Sequence, residues 1–230
     1  MRILALETAG DWCGVAVGDG THWHVAEERA GPTHSEHALI LARTALGAAG
    51  WSLGALDGIA FGAGPGAFTG VRMACAIAQG LAFGADLPVI AVPTLAALAE
   101  AVREAQGHAR IVSCIDARMH EVYVAAYEWQ ENDWREVMAP AVMAPAALEA
   151  PLPGEWVGAG NGFALDPDLA ARLGLRAVDV TARATARAVG ALALTRLAAG
   201  EGVDAAAALP VYVRQRVALT TAERAAGARL

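Results

Sequence analysis

Lysine is absent from the 230-residue chain, and all 17 basic side chains are arginine. Without a lysine the protein cannot form a Schiff base with a carbonyl substrate, and it cannot supply the lysine with which a Walker loop contacts nucleotide phosphates. The motifs HExxH and GxSxG and the EF-hand loop are absent too. Their absence removes the commonest zinc-hydrolase, serine-hydrolase and calcium-binding interpretations.

Cysteines and long apolar runs are also scarce. The three cysteines, Cys13, Cys75 and Cys114, lie far apart and form no CxxC pair, which favours buried, reduced thiols over a disulfide framework. The longest run without a charge, 58–71, has 14 residues, whereas a membrane-spanning helix needs about 20 apolar ones. The first residues are too few and too interrupted for a signal peptide. We therefore expect a cytoplasmic protein that does not associate with membranes.

Positive charge is in deficit, because 24 acidic residues against 17 basic ones give a net charge of −7. This excludes binding of nucleic acid over the whole surface by phosphate neutralisation, so any contact with RNA must be local. Hydrophobic residues make up 56% of the chain and charged residues 18%. That composition is typical of a folded protein, and the length fits one domain or two small ones.

The first half of the chain alternates strand and helix patterns. Extended segments separated by turn residues predict an antiparallel meander over 2–28. Thr33 and Glu36 form a capping box, and apolar residues at helical spacing predict a helix over 33–49. There follow a predicted strand at 58–63, a glycine loop at 64–70, a helix at 71–83, a strand at 89–92 and a helix from Thr94 to about Ala105.

The pattern starts again at Arg110. The segment IVSCIDA ends in an acid and is followed by EVYVAAYEW, just as ILALET is followed by CGVAV. Glu7 and Asp116 therefore occupy matching places. This similarity of organisation predicts two lobes of related design that face one cleft.

The remainder of the second half is less regular. Four prolines break 140–153 into loop and short-helix pieces. A strand is expected at 156–160 and an alanine-rich helix at 181–199, closed by Gly200. The predicted units are an N-terminal lobe at 1–106, a C-terminal lobe at 107–209 and a tail at 210–230, whose four arginines and one glutamate give it a charge of +3.

The glycine loop between a buried strand and a helix is the first candidate for chemistry. Its backbone N–H groups and the helix dipole can bind an anion, with Arg72 adding charge. The GxGxxxG spacing fits neither the dinucleotide fingerprint nor the Walker pattern. A tight turn that lets the helix approach the sheet is the alternative. The residues concerned are Gly64, Pro65, Gly66, Phe68, Thr69 and Gly70.

Two histidine pairs suggest a metal site. His34 and His37 are three apart on a predicted helix, and His22 and His24 two apart on a predicted strand, so each pair can point two imidazoles the same way. A zinc centre needs three or four ligands, and neither pair supplies them. Solvated or partly packed histidines are the favoured interpretation.

Two acids end buried strands, Glu7 with Thr8 beside it and Asp116 with Arg118 nearby. Carboxylates in such positions can hold a metal or a water in a two-lobed fold. A salt bridge between Asp116 and Arg118, or hydrogen bonds to turn amides, explains them equally well.

The predicted helix 71–83 has only Arg72 and Gln79 as polar residues. It lacks the wide polar stripe of a water-facing helix, so both of its sides should be covered. One side can lie on the sheet, and the other then needs the helix 33–49 or another chain. Simple burial within the monomer is the alternative.

Four segments become specific when they are considered together: ILALETAGDWCGVAV, GAGPGAFTGVRMACAIAQGLAFGADLPVIAVPTLAALA, CIDARMHEVYVAAY and the late PVYVR. They resemble the TsaB (YeaZ) family of bacterial tRNA threonylcarbamoyladenosine biosynthesis proteins. The matching segments extend from Ile3 to Arg214, and the glycine loop with its helix is the most diagnostic part.

The resemblance implies an α/β chain with the two-lobed actin-like ATPase (ASKHA) fold, in which mixed sheets are flanked by helices. It also implies a relative of the catalytic subunit TsaD that has lost the chemistry. TsaD-like chains carry a metal-binding HxxxH pair in the stretch that corresponds to AVPTLAAL, from Ala91 to Leu98, and no histidine occurs there. Glu7 stands where aspartate is commoner in the family. No catalytic residue, metal or cofactor is therefore expected.

The implied function is that of a non-catalytic activating subunit. It would bind TsaD and, with the ATPase TsaE, support transfer of a threonylcarbamoyl group to N6 of adenosine 37 in tRNAs that read codons beginning with A. Contact with tRNA would be indirect, through the complex, and the free protein would form a homodimer through an overlapping surface. The residues expected at the interface are Arg72, Met73, Ala74, Ile77, Ala78, Leu81, His37, Leu41 and Ala45.

Two other functions stay open at this point. The chain can be an enzyme in its own right, either an actin-like ATP-dependent transferase or a metallopeptidase-like enzyme, with a nucleotide cleft lined by Glu7, Asp116, Gly64, Gly66 and Gly160. Alternatively, the basic tail can recognise tRNA directly, with Arg214 and Arg216 on phosphates.

Overall fold

The computed structural model describes residues 1–29, 34–148 and 154–214, without the side chains of 34–36. Three predicted features therefore lie outside the described residues: the capping box, residues 149–153 of the proline-rich stretch, and the tail beyond Arg214.

The first lobe is built on a five-stranded mixed sheet in the order β3-β2-β1-β4-β5. Its strands are β1 (Ile3–Glu7), β2 (Trp12–Gly18), β3 (Trp23–Arg29), β4 (Gly58–Gly62) and β5 (Val89–Val92). The first three form the predicted antiparallel meander, while β4 and β5 run parallel to β1. Its helices are α1 (His34–Ala49), α2 (Phe68–Ala85) and α3 (Thr94–Gln106).

The second lobe is built on another five-stranded mixed sheet, in the order β8-β7-β6-β9-β10. Its strands are β6 (Arg110–Arg118), β7 (Glu121–Gln130), β8 (Asp133–Met143), β9 (Val157–Ala159) and β10 (Ala177–Asp179). Its helices are α4 (Leu169–Arg172) and α5 (Ala186–Ala198). Short 3-10 turns occupy 53–55, 145–147, 161–165 and 205–207.

The two sheets share one topology. In each, three strands form an antiparallel meander and two further strands run parallel to the first. Glu7 ends β1, and Asp116 lies near the end of β6, its counterpart. The predicted similarity of the two halves is confirmed, and the fold is α/β with two mixed sheets flanked by helices.

The two lobes exchange helices. Val189 and Ala193 of α5, which follows the second sheet in the chain, pack on Ile3 and Ala5 of the first sheet. The helix α3 of the first half contributes buried residues to the core of the second sheet, among them Leu95, Leu98 and Val102. The contacts between the lobes are therefore largely hydrophobic, and the two clusters share the partly buried Ala184 and Leu192, which joins the lobes firmly.

Tertiary contacts move some helix ends away from their predicted positions. The helix α2 begins at Phe68, three residues before the predicted start, and its N-cap, Ala67, makes no side-chain capping bond. The helix α5 begins at Ala186, five residues later than predicted, because the Thr185 hydroxyl caps it by accepting the N–H of Ala188 at 3.1 Å. Since prolines are tolerated at a sheet edge, β8 continues through Pro140, where the sequence predicted loop pieces.

The apolar residues of α2 extend further along the chain than the uncharged run of the sequence indicated. This helix of 18 residues has a mean hydropathy of 1.2, enough by length and composition to cross a membrane, although a third of it is buried within the protein. Arg72, which ends the uncharged run in the sequence, lies within this helix. Its single charge does not outweigh the contribution of the apolar residues to the mean hydropathy. Core helices of water-soluble proteins pass the same test.

Candidate functional site

The glycine loop lies between β4 and α2 and packs on the turn that follows β1. A Cβ added at Gly70 would lie 2.0 Å from the backbone oxygen of Thr8, and one at Gly66 would lie 2.5 Å from that of Ala9. The Ala67 N–H donates to the Ala9 carbonyl at 2.7 Å, and the Thr8 hydroxyl donates to the Gly70 carbonyl at 2.7 Å. Because only glycine permits so close an approach, packing alone accounts for these two glycines.

The start of the loop is held by Thr94, the first residue of α3. The Gly64 N–H donates to the Thr94 hydroxyl at 3.1 Å, and the Thr94 N–H donates to the Gly64 carbonyl at 2.8 Å. Gly64 has a φ of +97° and a cis peptide bond to Pro65. Pro65 is buried, whereas Phe68 and Thr69 are exposed. These contacts favour the tight-turn interpretation, because the Gly64 N–H already donates within the protein.

A segment near the end of the described chain covers the mouth of the loop. We call residues 208–214 the C-terminal strap. The Val211 N–H donates to the Ala63 carbonyl at 2.8 Å, and the Val211 oxygen lies 3.0 Å from the position that a Cβ of Gly64 would take. The sequence placed this segment in a basic tail and gave no signal of its path, apart from the PVYVR motif.

The strap reaches the second lobe through Arg214. Its guanidinium donates to the Glu121 carboxylate at 2.6 Å and to the Ala117 carbonyl at 3.1 Å, and only 11% of the side chain is exposed. The Arg214 guanidinium is therefore buried against a carboxylate and is not presented to tRNA phosphates, and Arg216, the other arginine suggested for that contact, lies outside the described residues. The candidate acid Asp116 pairs with Arg118 at 3.3 Å, as the structural alternative predicted.

Glu7 lies buried beneath the glycine loop. Its carboxylate accepts the Ala9 N–H at 2.7 Å and the Thr94 hydroxyl at 3.4 Å. A Cβ on Gly62 of the neighbouring strand β4 would lie 2.0 Å from the same carboxylate. Only glycine at this position therefore leaves room for the Glu7 side chain. Burial raises the pKa of Glu7 from 4.5 to about 7. Near neutral pH this carboxyl is therefore shared between its neutral and charged forms.

The candidate histidine pairs are drawn into other contacts. The His37 ring contacts the Glu28 carboxylate and so links α1 to β3. The backbone N–H of His22 donates to Asp19 at 2.8 Å in the β2–β3 turn, and the imidazole of His22 is 79% exposed. The side chain of His34 lies outside the described part. Within the described residues, no group of three or more His, Cys, Asp or Glu is placed to hold a metal ion.

Three residues predicted at the partner interface lie in the core instead. Ala74 and Ala78 of α2 are completely buried and Ala45 of α1 is nearly so, packed with Phe61 and Leu6. They cannot touch another chain, because these alanines lie on the side of each helix that packs against the sheet. Of the other predicted residues, Arg72 is exposed, and partial exposure is found for Met73, Ile77, Leu81, His37 and Leu41.

The surface side of α2 carries residues that the prediction omitted. Phe83 is 84% exposed, and Ala76 and Gly80 are exposed in the preceding turns. We call Met73, Ala76, Gly80 and Phe83 the outer face of α2. The scarcity of polar residues shows that the helix is apolar as a whole. The 3.6-residue period of the helix is the signal that separates this outer face from the buried alanines. On α1, Leu39 and Ile40 are each about half exposed.

Two lobes of one topology, with a glycine loop at the end of a central strand, define an actin-like ATPase fold. The family model described as "TsaD: tRNA N6-adenosine threonylcarbamoyltransferase" matches residues 25–221. The chain is 40% identical to the tRNA threonylcarbamoyladenosine biosynthesis protein TsaB of Escherichia coli K12 over 95% of this chain and 96% of that protein. It is 41% identical to TsaB of Haemophilus influenzae over 63% of this chain and 65% of that one.

A solved structure gives the same result. YeaZ from Pseudomonas aeruginosa superimposes with a TM-score of 0.84 at 40% identity, over 92% of this chain and 99% of that one. The chain therefore belongs to the TsaB (YeaZ) family, and it takes part in the biosynthesis of tRNA threonylcarbamoyladenosine.

Proposed function

We propose that the protein is a non-catalytic subunit that binds TsaD and activates transfer of the threonylcarbamoyl group to N6 of adenosine 37 in tRNAs that read codons beginning with A. The observation that carries this proposal is the outer face of α2, which combines an almost fully exposed Phe83 with the small residues Ala76 and Gly80. Exposed apolar faces of this kind are typical of protein–protein contacts.

The chemistry of the outer face suits a helix of another chain. Gly80 and Ala76 allow a neighbouring backbone to approach closely, and a large aromatic side chain beside them can fill a pocket of the partner. The half-exposed Leu39 and Ile40 of α1 would extend the same apolar surface. We propose that TsaD and a second copy of this chain compete for the outer face, so that the free protein is a homodimer.

The contacts inside the cleft support a role without catalysis. The glycines at 66 and 70 are accounted for by packing on Thr8 and Ala9, and the strap covers the mouth of the loop. The β5–α3 stretch has Thr94 where α3 begins and contains no histidine. In this proposal the chemistry belongs to TsaD, TsaE joins in a ternary complex, contact with tRNA is indirect, and the complex works in the cytoplasm without a metal or cofactor on this chain.

Size-exclusion chromatography of the protein mixed with TsaD tests the proposal. Phe83→Asp places a charge at the C-terminal end of the outer face and should weaken the complex at least tenfold, since a buried aromatic anchor contributes about 2 kcal/mol or more. The matched control is Leu165→Asp, which alters an exposed leucine of the second lobe and should leave association unchanged. Equal effects of both variants, or no complex with the unaltered protein, would contradict the proposal.

Activity reconstitution separates the activating role from the enzymatic alternative. With TsaC, TsaD and TsaE present, modification of tRNA should depend on added protein and fall with Phe83→Asp. The isolated chain should not turn over ATP. Turnover that Phe83→Asp leaves intact would instead favour an actin-like transferase.

A further inference from the structure

The C-terminal strap bridges the mouth of the cleft between the two lobes. Its backbone is bonded to the first lobe, where the Val211 N–H donates to Ala63 at the end of β4. Its last described residue is bonded to the second lobe, where Arg214 pairs with Glu121 at the start of β7. Few residues separate these two anchors, so the strap limits how far the glycine loop and the β6–β7 hairpin can move apart.

Side chains of α2 hold the middle of the strap. The guanidinium of Arg72 lies 3.7 Å above the Phe68 ring, and its Nε donates to the Tyr212 hydroxyl at 2.8 Å. The two rings lie 6.2 Å apart. Two turns further along the helix, the Gln79 amide donates to the Ala208 carbonyl at 2.9 Å. The strap is therefore fixed by specific polar bonds as well as by packing.

The hairpin that receives Arg214 has an unfavourable backbone. Arg118, Met119 and His120 have φ values of +63°, +57° and +59°, in a region that favours glycine over other residues. The Arg214 guanidinium binds the Ala117 carbonyl and also contacts the Met119 sulfur at 2.9 Å. A cation held by three groups of the hairpin offsets part of the cost of this conformation.

A small pocket lies where the strap, the loop and the hairpin meet. Its lining includes Pro65, Val71, Tyr123, Val211, Tyr212 and Arg214. The lining residues of both lobes are brought together by the strap. Removal of the strap from its anchors would take away one wall of this pocket and expose the adjacent Gly64.

We propose that the strap is a latch, which closes the mouth of the cleft and opens locally when the pair between Arg214 and Glu121 is lost, while both lobes stay folded. The pair is suited to this role because it is charge-assisted and largely buried on the arginine side. The hydrophobic contacts of α3 and α5 hold the lobes together independently. Opening of the latch therefore does not require unfolding.

Hydrogen–deuterium exchange on the isolated full chain tests the latch. Arg214→Met keeps the length of the side chain and removes its charge. The variant should speed exchange of the Val211 and Thr94 amides at least tenfold, because their acceptors are Ala63 and Gly64 at the mouth. The Leu98 amide within α3 should keep its protection, which distinguishes local opening from general loss of stability.

The matched control is Arg118→Met, an exposed arginine of the same hairpin that pairs with Asp116 and should leave the Val211 and Thr94 amides protected. Unchanged exchange in Arg214→Met, or equal acceleration at Leu98, would overturn the latch. Should Arg214→Met fail to fold, Glu121→Gln removes the other half of the pair and must give the same selective acceleration. The experiment uses no TsaD, so its outcome is independent of the proposed function.

Discussion

At the scale of single residues, Glu7 shows how the fold changes the chemistry of a side chain. The residue ends β1, next to the glycine loop, and the Ala9 N–H and the Thr94 hydroxyl donate to its carboxylate. These two bonds favour the charged form, whereas desolvation opposes it more strongly and raises the pKa to about 7. The unfolded chain, in which the carboxyl is solvated, should have the ordinary value of 4.5.

The raised pKa predicts how stability depends on pH. Between pH 4.5 and about 7 the folded protein holds a proton on Glu7 that the unfolded chain has lost, so this group makes the free energy of unfolding fall as the pH rises. Above pH 7 the loss is complete. The difference of about 2.5 pKa units corresponds to roughly 3 kcal/mol, and Glu7→Gln should therefore be more stable than the parent at pH 8 and equal to it near pH 4.5.

Urea unfolding followed by tryptophan fluorescence from pH 4.5 to pH 8 measures this difference. Glu131→Gln is the control, because Glu131 is exposed in the turn between β7 and β8 and should follow the parent at every pH. If the curves for Glu7→Gln and the parent stay parallel over the whole range, another group causes the pH dependence.

At the scale of elements, most strands could be predicted because turn residues bound short apolar segments. The strands β1, β2, β4 and β5 are buried along nearly their whole length, so their sequences carry a strong hydrophobic signal. The strand β8 was missed because it is a partly exposed edge strand that mixes charged and apolar residues. Its place is set by pairing with β7, which sequence patterns do not record.

The helix α2 shows where the prediction of site residues was limited. Its apolar composition predicted that both of its sides are covered, but the direction of each side chain depends on how the helix meets the sheet. Packing turns Ala74 and Ala78 inward and leaves Ala76 and Phe83 outward. The strap could not be predicted from local sequence patterns, because its contacts join distant parts of the chain. Tyr212, for example, lies 140 residues after its partner Arg72.

Two glycines of α2 should respond oppositely to the same substitution. Gly70→Ala places a methyl group 2.0 Å from the Thr8 backbone oxygen, and the resulting shift of the helix should lower the free energy of unfolding by about 2–3 kcal/mol. A Cβ on Gly80 meets nothing within 4 Å. In a single protomer, Gly80→Ala should therefore raise the free energy of unfolding by about 0.5–1 kcal/mol, since alanine favours a helix interior.

Urea denaturation at protein concentrations low enough to dissociate the proposed homodimer compares the two variants directly, each serving as the control for the other. A loss of stability at Gly80 that persists in the dissociated protein would mean that the outer face is covered within one protomer. Covering by a second copy would make the loss at Gly80 depend on protein concentration, whereas the loss at Gly70 would not.

At the scale of the whole molecule, the exchange of α3 and α5 makes each lobe depend on the other. The inner side of the first sheet, with Ile3, Ala5 and Ile90, is covered by α5 from the second half of the chain. The inner side of the second sheet is covered by α3 from the first half. The predicted boundary near residue 106 therefore divides the sequence into similar halves without dividing the hydrophobic core.

This arrangement predicts that the fragment 1–106 does not fold alone. Without α5, the fragment exposes fully buried residues such as Ile3 and Ile90, and a leucine-sized side chain loses roughly 1.5–3 kcal/mol when it returns to water. Several such losses exceed the stability of a small domain.

The circular dichroism of the fragment should therefore change gradually on heating, while the full chain should show one cooperative transition. Mixing the fragment with 107–230 should restore a cooperative transition, because α5 is then supplied in trans, and a sharp transition of 1–106 alone would show that the first lobe is self-sufficient.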